Sequence, residues 1–367
     1  MKNRTKKIRR GGALDTTLYD IVVIAGQSNG YGYGRRNVCD STRLPGCGAV
    51  VDLRKNSTLV GPITNIPNLY DSPNSKIKQF SGEWNSDTTK RNKIIEAIDP
   101  LETFVSFGTG TNSFGMSFAK DYIADSQIAI GTRNLLLVNC SYPGTGVDSG
   151  LDSMKWRKPT ANDDLSKSLY TKTVQRLKNL KTLLHPTNDS KVVAFLWHQG
   201  ETDETTATTT GKRNYKNKLK ESLEGMREEI IGIFNNNNDS YIFPILLGGL
   251  CLDVQFNRIT GVINTASKRQ EMCKIISEVS NPNDAYYIEK SVFVSSDYFT
   301  FSPRLESNTE LDASGNSVGI RYADGRFMSC ASEDATERRS CEDNTHFSAS
   351  ANRELGKRYF HYYKGVR

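Results

Sequence analysis

The sequence predicts an α/β protein, a three-layer α/β/α sandwich with a central, mostly parallel five-stranded sheet. Three observations carry this expectation: five short apolar runs recur along the chain, helix-patterned stretches separate them, and the leading runs stop abruptly in glycine-containing turns. The first run is apolar at every position, as expected of a parallel strand covered by helices on both faces.

Taken in order, the first strand is Ile21-Val22-Val23-Ile24-Ala25, ending at Gly26-Gln27-Ser28-Asn29-Gly30. A serine in that position lies at the carboxyl end of a buried strand, where open α/β sheets bind their ligands, and the glycines let backbone approach closely. A helix is expected over 113–124, then a strand over 135–139 that passes into Cys140-Ser141-Tyr142-Pro143-Gly144-Thr145-Gly146. A helix over 165–184 leads to the strand 191–197, which passes into His198-Gln199-Gly200-Glu201-Thr202-Asp203. Helices over 214–234 and 265–279 alternate with strands over 241–248 and 285–289, and a last helix follows Asp343-Asn344-Thr345-His346. Two segments break the alternation, about 31–103, rich in Gly, Pro, Asn and Ser, and about 291–342, with little periodicity. Both read as long insertions, and because each adjoins a proposed catalytic residue they are expected to build the substrate cleft. The domain plan is therefore a flexible basic arm over 1–18 and a single domain over 19–367.

With 37% hydrophobic and 24% charged residues the chain has ample material for a core, and no apolar stretch approaches the 20 or so residues that span a bilayer. Residues 1–12 hold six basic side chains and no acidic one, with no apolar run before Ile21, so no secretory signal is expected. The arm reads as a solvated tail, with contact to nucleic acid or another polyanion as the alternative. Its Arg9-Arg10-Gly11-Gly12 ending also resembles arms on proteins packaged in large DNA viruses, which raises a virion location. Seven cysteines occur without a C-x-x-C pair; Cys39 with Cys47 and Cys330 with Cys341 are close enough for loop disulfides, but free thiols are the expected state. Neither a metal nor a cofactor is called for, and the cysteines and histidines show no repeated ligand spacing.

The chemistry rests on Ser28 and His346. Only four histidines occur, and His346 has a carboxylate three residues earlier, Asp343, which can orient the ring and stabilise its imidazolium. His185 and His361 read as structural, and His198 with Glu201 lacks a third ligand for a metal. Acyl transfer also needs hydrogen-bond donors for the charge that develops on the former carbonyl oxygen, and the turns after the second and third strands can supply them. Alternatives are local: Ser28 as a turn residue, Asp343 as a helix cap, Glu201 and Asp203 as charges at a helix start; for Asp203 this last role is the expected one. Trp84 and Trp156 could line a sugar-binding cleft or simply pack.

Together, Gly26-Gln27-Ser28-Asn29, Gly144-Thr145-Gly146, Trp197-His198-Gln199-Gly200-Glu201-Thr202-Asp203 and Asp343-Asn344-Thr345-His346 resemble the SGNH (GDSL-type) hydrolase superfamily, in particular its sialate O-acetylesterase and acetylxylan esterase branch. The segment Ser113 to Ala119 resembles the family's first helix. The resemblance covers about Ile21 to Tyr363 apart from the insertions. It implies a serine esterase acting on O-acetyl groups of a carbohydrate, with Ser28 as nucleophile, His346 as general base and Asp343 or Glu201 as the orienting acid. It also implies an oxyanion hole from the N–H groups of Ser28 and Gly144 and the side chain of Gln199, with Gln27, Asn29 and Thr145 near substrate. Pro143 departs from the branch, which often has a glycine there. The alternative functions are a catalytically silent sugar-binding or structural protein on the same scaffold, and an esterase or thioesterase acting on lipid acyl groups.

Overall fold

The computed structural model describes residues 14–32, 34–35, 74–105, 111–128, 130–148, 150–206, 209–234, 241–251, 255–257, 262–264, 267–296, 310–311, 317–321, 327–329, 347 and 349–367. The basic arm through residue 13, Asp343, His346 and Cys39, Cys47, Cys330 and Cys341 lie outside them.

The central sheet has seven strands: β1 (Tyr19–Gly26), β2 (Ile77–Phe80), β3 (Ile94–Glu96), β4 (Asn134–Asn139), β5 (Lys191–His198), β6 (Ile245–Gly248) and β7 (Ser291–Val294). Their order across the sheet is β7-β6-β5-β1-β4-β2-β3, and every neighbouring pair is parallel except β2 with β3. The main helices are α1 (Gly115–Ala124), α2 (Leu169–Lys181), α3 (Thr209–Phe234), α4 (Ser267–Glu278) and α5 (Ala349–Val366).

Alternate residues of β1 supply the two cores. Ile21, Val23 and Ala25 join Leu177 of α2, Leu219 and Leu223 of α3 and Ile276 of α4, whereas Val22 and Ile24 join Phe118 and Ala119 of α1 and Leu355 and Tyr359 of α5. This two-sided burial explains the unbroken apolar run, each fully buried Val or Ile contributing about 1.5–3 kcal/mol. At the start of α2 the Ser168 hydroxyl caps the helix, accepting from the Thr171 N–H at 3.1 Å.

Three differences from the sequence expectations follow. The five-stranded sheet is seven-stranded, because β2 and β3 come from inside the segment read as an insertion and extend the sheet beyond β4. The last parallel strand is Ser291–Val294 and not 285–289: Ile288 is fully buried, its N–H donates to the Val279 carbonyl at 2.8 Å at the end of α4, and Lys290, at φ 52°, turns the chain before the strand starts. The packed part of the domain begins before residue 19, since the Asp15 N–H donates to Leu183 O and its carbonyl accepts from His185 N–H, both at 2.9 Å.

β1 lies between β4, which precedes β5 in sequence, and β5, from which the chain winds outward on the other side. Its carboxyl end is therefore the topological switch point of the sheet, where such folds hold their ligands.

Candidate active site

The end of β1 is held by both neighbours. The Gln27 N–H donates to His198 O at the end of β5, and the Gly26 carbonyl accepts from the Tyr142 N–H beyond β4, both at 2.9 Å. Gly26 has φ +124°, and a Cβ there would lie 2.0 Å from His198 O, so only glycine allows the chain to leave the strand at this angle. One helical turn, Ser28–Tyr31, follows at once, with Ser28 as its first residue. Ser28 is buried at 4% exposure, and its hydroxyl takes part in none of the hydrogen bonds among the described residues. Its N–H, at the start of a helical turn, has no acceptor within that turn.

Asn29 is fully buried and spans the site: its Nδ2 donates to Glu201 Oε1 at 2.7 Å, and its Oδ1 accepts from the Phe347 N–H at 3.1 Å. Phe347 is itself fully buried and directly follows His346 in the chain. A residue beside Ser28 thus joins the turn after β5 to a segment 318 positions further on.

Gln199 is held in a fixed orientation. Its Nε2 donates to Asp203 Oδ2 at 2.6 Å and faces Gln27 Oε1 and Thr145 O, each at 3.4 Å, while its Oε1 accepts from the Tyr215 hydroxyl at 3.2 Å. Gln27 Oε1 also faces the Thr202 N–H at 3.3 Å. Thr145 donates its hydroxyl to Tyr142 O at 2.7 Å and accepts from the Trp156 indole N–H at 2.9 Å. The side chains of Gln27, Asn29 and Thr145, expected near substrate, are therefore ties between the loops that surround Ser28. Trp156 is fully buried against Trp197, a packing residue and no part of an open cleft. Gly144 is exposed, with φ +64°, and its carbonyl accepts from Leu151 N–H at 2.8 Å.

Asp203 lies in the first turn of the short helical segment Glu201–Thr206, as expected, and has a further role. It is 4% exposed and accepts from the Val147 N–H at 2.8 Å as well as from Gln199, so it clamps the turn after β4 to the turn after β5. Burial raises its pKa, and the two donated hydrogen bonds oppose that rise. Its place at the end of the Trp197–Asp203 motif was the only sequence signal for this role.

His198 is also fully buried, and burial lowers its pKa to about 3. The Tyr359 hydroxyl donates its one proton to Trp197 O at 2.8 Å, so the His198 Nδ1 lying 3.2 Å from it carries the ring proton. The other nitrogen, Nε2, has no hydrogen-bond partner among the described residues, and Glu201 Oε1 lies 3.8 Å away. No cluster of three or more ligating side chains suited to a metal occurs among the described residues. Cys140, Cys251 and Cys273 are buried and take part in no disulfide.

The model of the sialic acid-specific acetylesterase family of carbohydrate esterases matches residues 18–272, more than half of the chain. The chain belongs to this family. The matched span of the esterase contains Ser28, Gly144, Gln199 and Glu201, and ends before Asp343 and His346. Among solved structures, NanS is 15% identical over 96% of this esterase and 98% of its own chain, with a TM-score of 0.58, and shares the three-layer fold. A protein of Arabidopsis thaliana is 17% identical over 94% of the esterase and 97% of its own chain, with a TM-score of 0.49. A carbohydrate acetylesterase from Xanthomonas citri is 15% identical over 75% and 49% of the two chains, with a TM-score of 0.39. No curated protein matches the esterase. No described helix is long and apolar enough to cross a membrane.

Proposed function

We propose that this esterase removes acetyl groups from carbohydrate hydroxyls through an acyl-serine intermediate. His346 takes the Ser28 proton as Oγ attacks the acetyl carbonyl, and the tetrahedral oxyanion is met by the N–H groups of Ser28 and Gly144 and the Gln199 amide. Collapse breaks the bond to the sugar oxygen, which leaves with the proton from His346. A water deprotonated by the same imidazole then attacks the acyl-serine, releasing acetate and restoring Ser28. Asp343 orients His346, and Glu201 acts on the site through Asn29.

The observation that carries this reading is the Asn29 bridge. It ties the chain neighbour of His346 to the residue after Ser28, at the switch point of a sheet whose family is a carbohydrate esterase family. That family's description supports an O-acetylated sialic acid as the first substrate to try. The test is acetate release from O-acetylated sialic acid, acetylated xylan and p-nitrophenyl acetate. Ser28→Ala is expected to lower kcat at least a thousandfold. Turnover that survives this change would overturn the assignment, and a preference for octanoyl over acetyl esters would move the substrate to lipids.

A further inference from the structure

Beside the catalytic turn lies a groove of about 310 Å³ that no step of the proposed reaction uses. Tyr31, the last residue of the turn that Ser28 opens, lines it. Its other wall is built from the segment around β2 and β3, which the sequence marked only as an irregular insertion.

The wall presents an indole. Trp84 lines the groove and is 57% exposed, the most exposed of the large apolar side chains among the described residues. The loop that carries it is firmly held. Glu102 accepts from the Gly82 N–H at 2.9 Å and from the Asn85 amide at 2.5 Å, so one carboxylate grips both sides of Trp84. Asn85 in turn accepts from the Asp87 N–H on its side chain and from Arg91 Nε on its carbonyl, both at 2.8 Å. Gly82 leaves no room for a side chain, since a Cβ would lie 2.6 Å from Thr103 O. A rigid loop that displays an aromatic face to solvent spends hydrophobic area on a surface the fold itself does not need.

The polar lining selects the ligand. Asp87, Glu96, Asp99 and Glu102 face the groove against one ammonium, Lys90, which pairs with Asp87 at 3.2 Å. Carboxylates accept hydrogen bonds from hydroxyls and repel anions, and an indole face packs against the C–H face of a pyranose. We propose that this groove is a second sugar subsite in which Trp84 carries an uncharged pyranose ring next to the acetylated residue, so the esterase acts on an oligosaccharide or polysaccharide rather than on a free acetylated monosaccharide. The inference rests on the reading of Ser28 as the nucleophile.

The test compares full-length wild type, Trp84→Ala and Trp84→Phe on p-nitrophenyl acetate and on acetylated xylotetraose. Trp84→Ala is expected to leave p-nitrophenyl acetate turnover within twofold and to lower kcat/KM for the tetraose about tenfold through KM, as expected when a sugar face loses an indole-sized apolar contact. Trp84→Phe keeps an aromatic face and is expected to recover most of that loss. Equal tetraose kinetics in wild type and Trp84→Ala would overturn the subsite, as would a wild-type preference for an acetylated galacturonic acid oligomer over the neutral tetraose. Ser28→Ala run in parallel separates the two readings, because its surviving activity would overturn the nucleophile whatever Trp84 does.

Discussion

Replacing Asn29 by alanine tests the link between the two ends of the chain most directly. The change removes a hydrogen bond to the Glu201 carboxylate at 2.7 Å, worth about 1.5–3 kcal/mol. It also leaves the Phe347 N–H, in a fully buried residue, without its acceptor, at a cost of about 1–3 kcal/mol. A loss of about 2.5–6 kcal/mol follows. Unfolding entropy of about 2.1 cal/mol/K per residue, over 367 residues, converts 1 kcal/mol to about 1.3 °C, so the melting temperature should fall by about 3–8 °C in a calorimetric scan. At temperatures well below that midpoint, kcat for p-nitrophenyl acetate should still drop by about a hundredfold, because the tether of the chain beside His346 is gone. Asn29→Asp adds a sign. It keeps the acceptor for Phe347 but sets a second carboxyl against Glu201, so the pair holds one proton and its folded-state pKa lies above the unfolded value. Its stability relative to wild type should be highest at low pH and should fall as pH rises through that pKa. An Asn29→Ala protein with wild-type melting temperature and kcat would refute the role of this bridge.

Two further outcomes can be measured on the same material. Gly26→Ala forces a Cβ against His198 O with φ at +124°, and urea unfolding should show a loss of about 3–5 kcal/mol; an unchanged midpoint would mean that the turn relaxes freely. Because burial holds the His198 pKa near 3 while the unfolded ring titrates near 6.5, stability is complete above about pH 6.5 and is lost as pH falls towards 3. That loss amounts to as much as about 5 kcal/mol. His198→Gln should flatten this part of the pH–stability curve, and an unaltered slope would show that other groups produce it.

The parallel core of the fold was legible because its strands are buried on both faces, which writes the unbroken apolar runs Ile21–Ala25 of β1 and Leu135–Val138 of β4. The β2–β3 pair was not. Its strands are three and four residues long, and Lys78 and Gln79 interrupt the apolar pattern, although Gln79 is buried and bonds the Glu96 carbonyl. Neither carries a signal until its partner is in place. The strand at 291–294 was displaced in the reading for the opposite reason: Tyr286, Tyr287 and Ile288 are apolar enough for a strand, but Ile288 bonds the end of α4 while Tyr286 and Tyr287 meet Lys216 and Lys220 of α3. At the site, the described motif residues follow the ends of β1, β4 and β5, whereas the clamp made by Asp203 and the bridge made by Asn29 depend on partners 56 and 318 positions away, which no local pattern encodes.

The central position of β1 has a consequence for how this molecule comes into being. Its first strand leaves the ribosome early yet must wait for β4 and β5 to flank it, and its serine waits longer, until Phe347 arrives. At about 5–20 residues per second, the 318 positions between Asn29 and Phe347 take roughly 15–60 s to synthesise. Until β4 and β5 emerge the nascent chain holds an unshielded apolar ribbon, and until Phe347 emerges the Ser28 site stays incomplete, so a prematurely terminated product is expected to be inert toward esters and a target for chaperones and proteases.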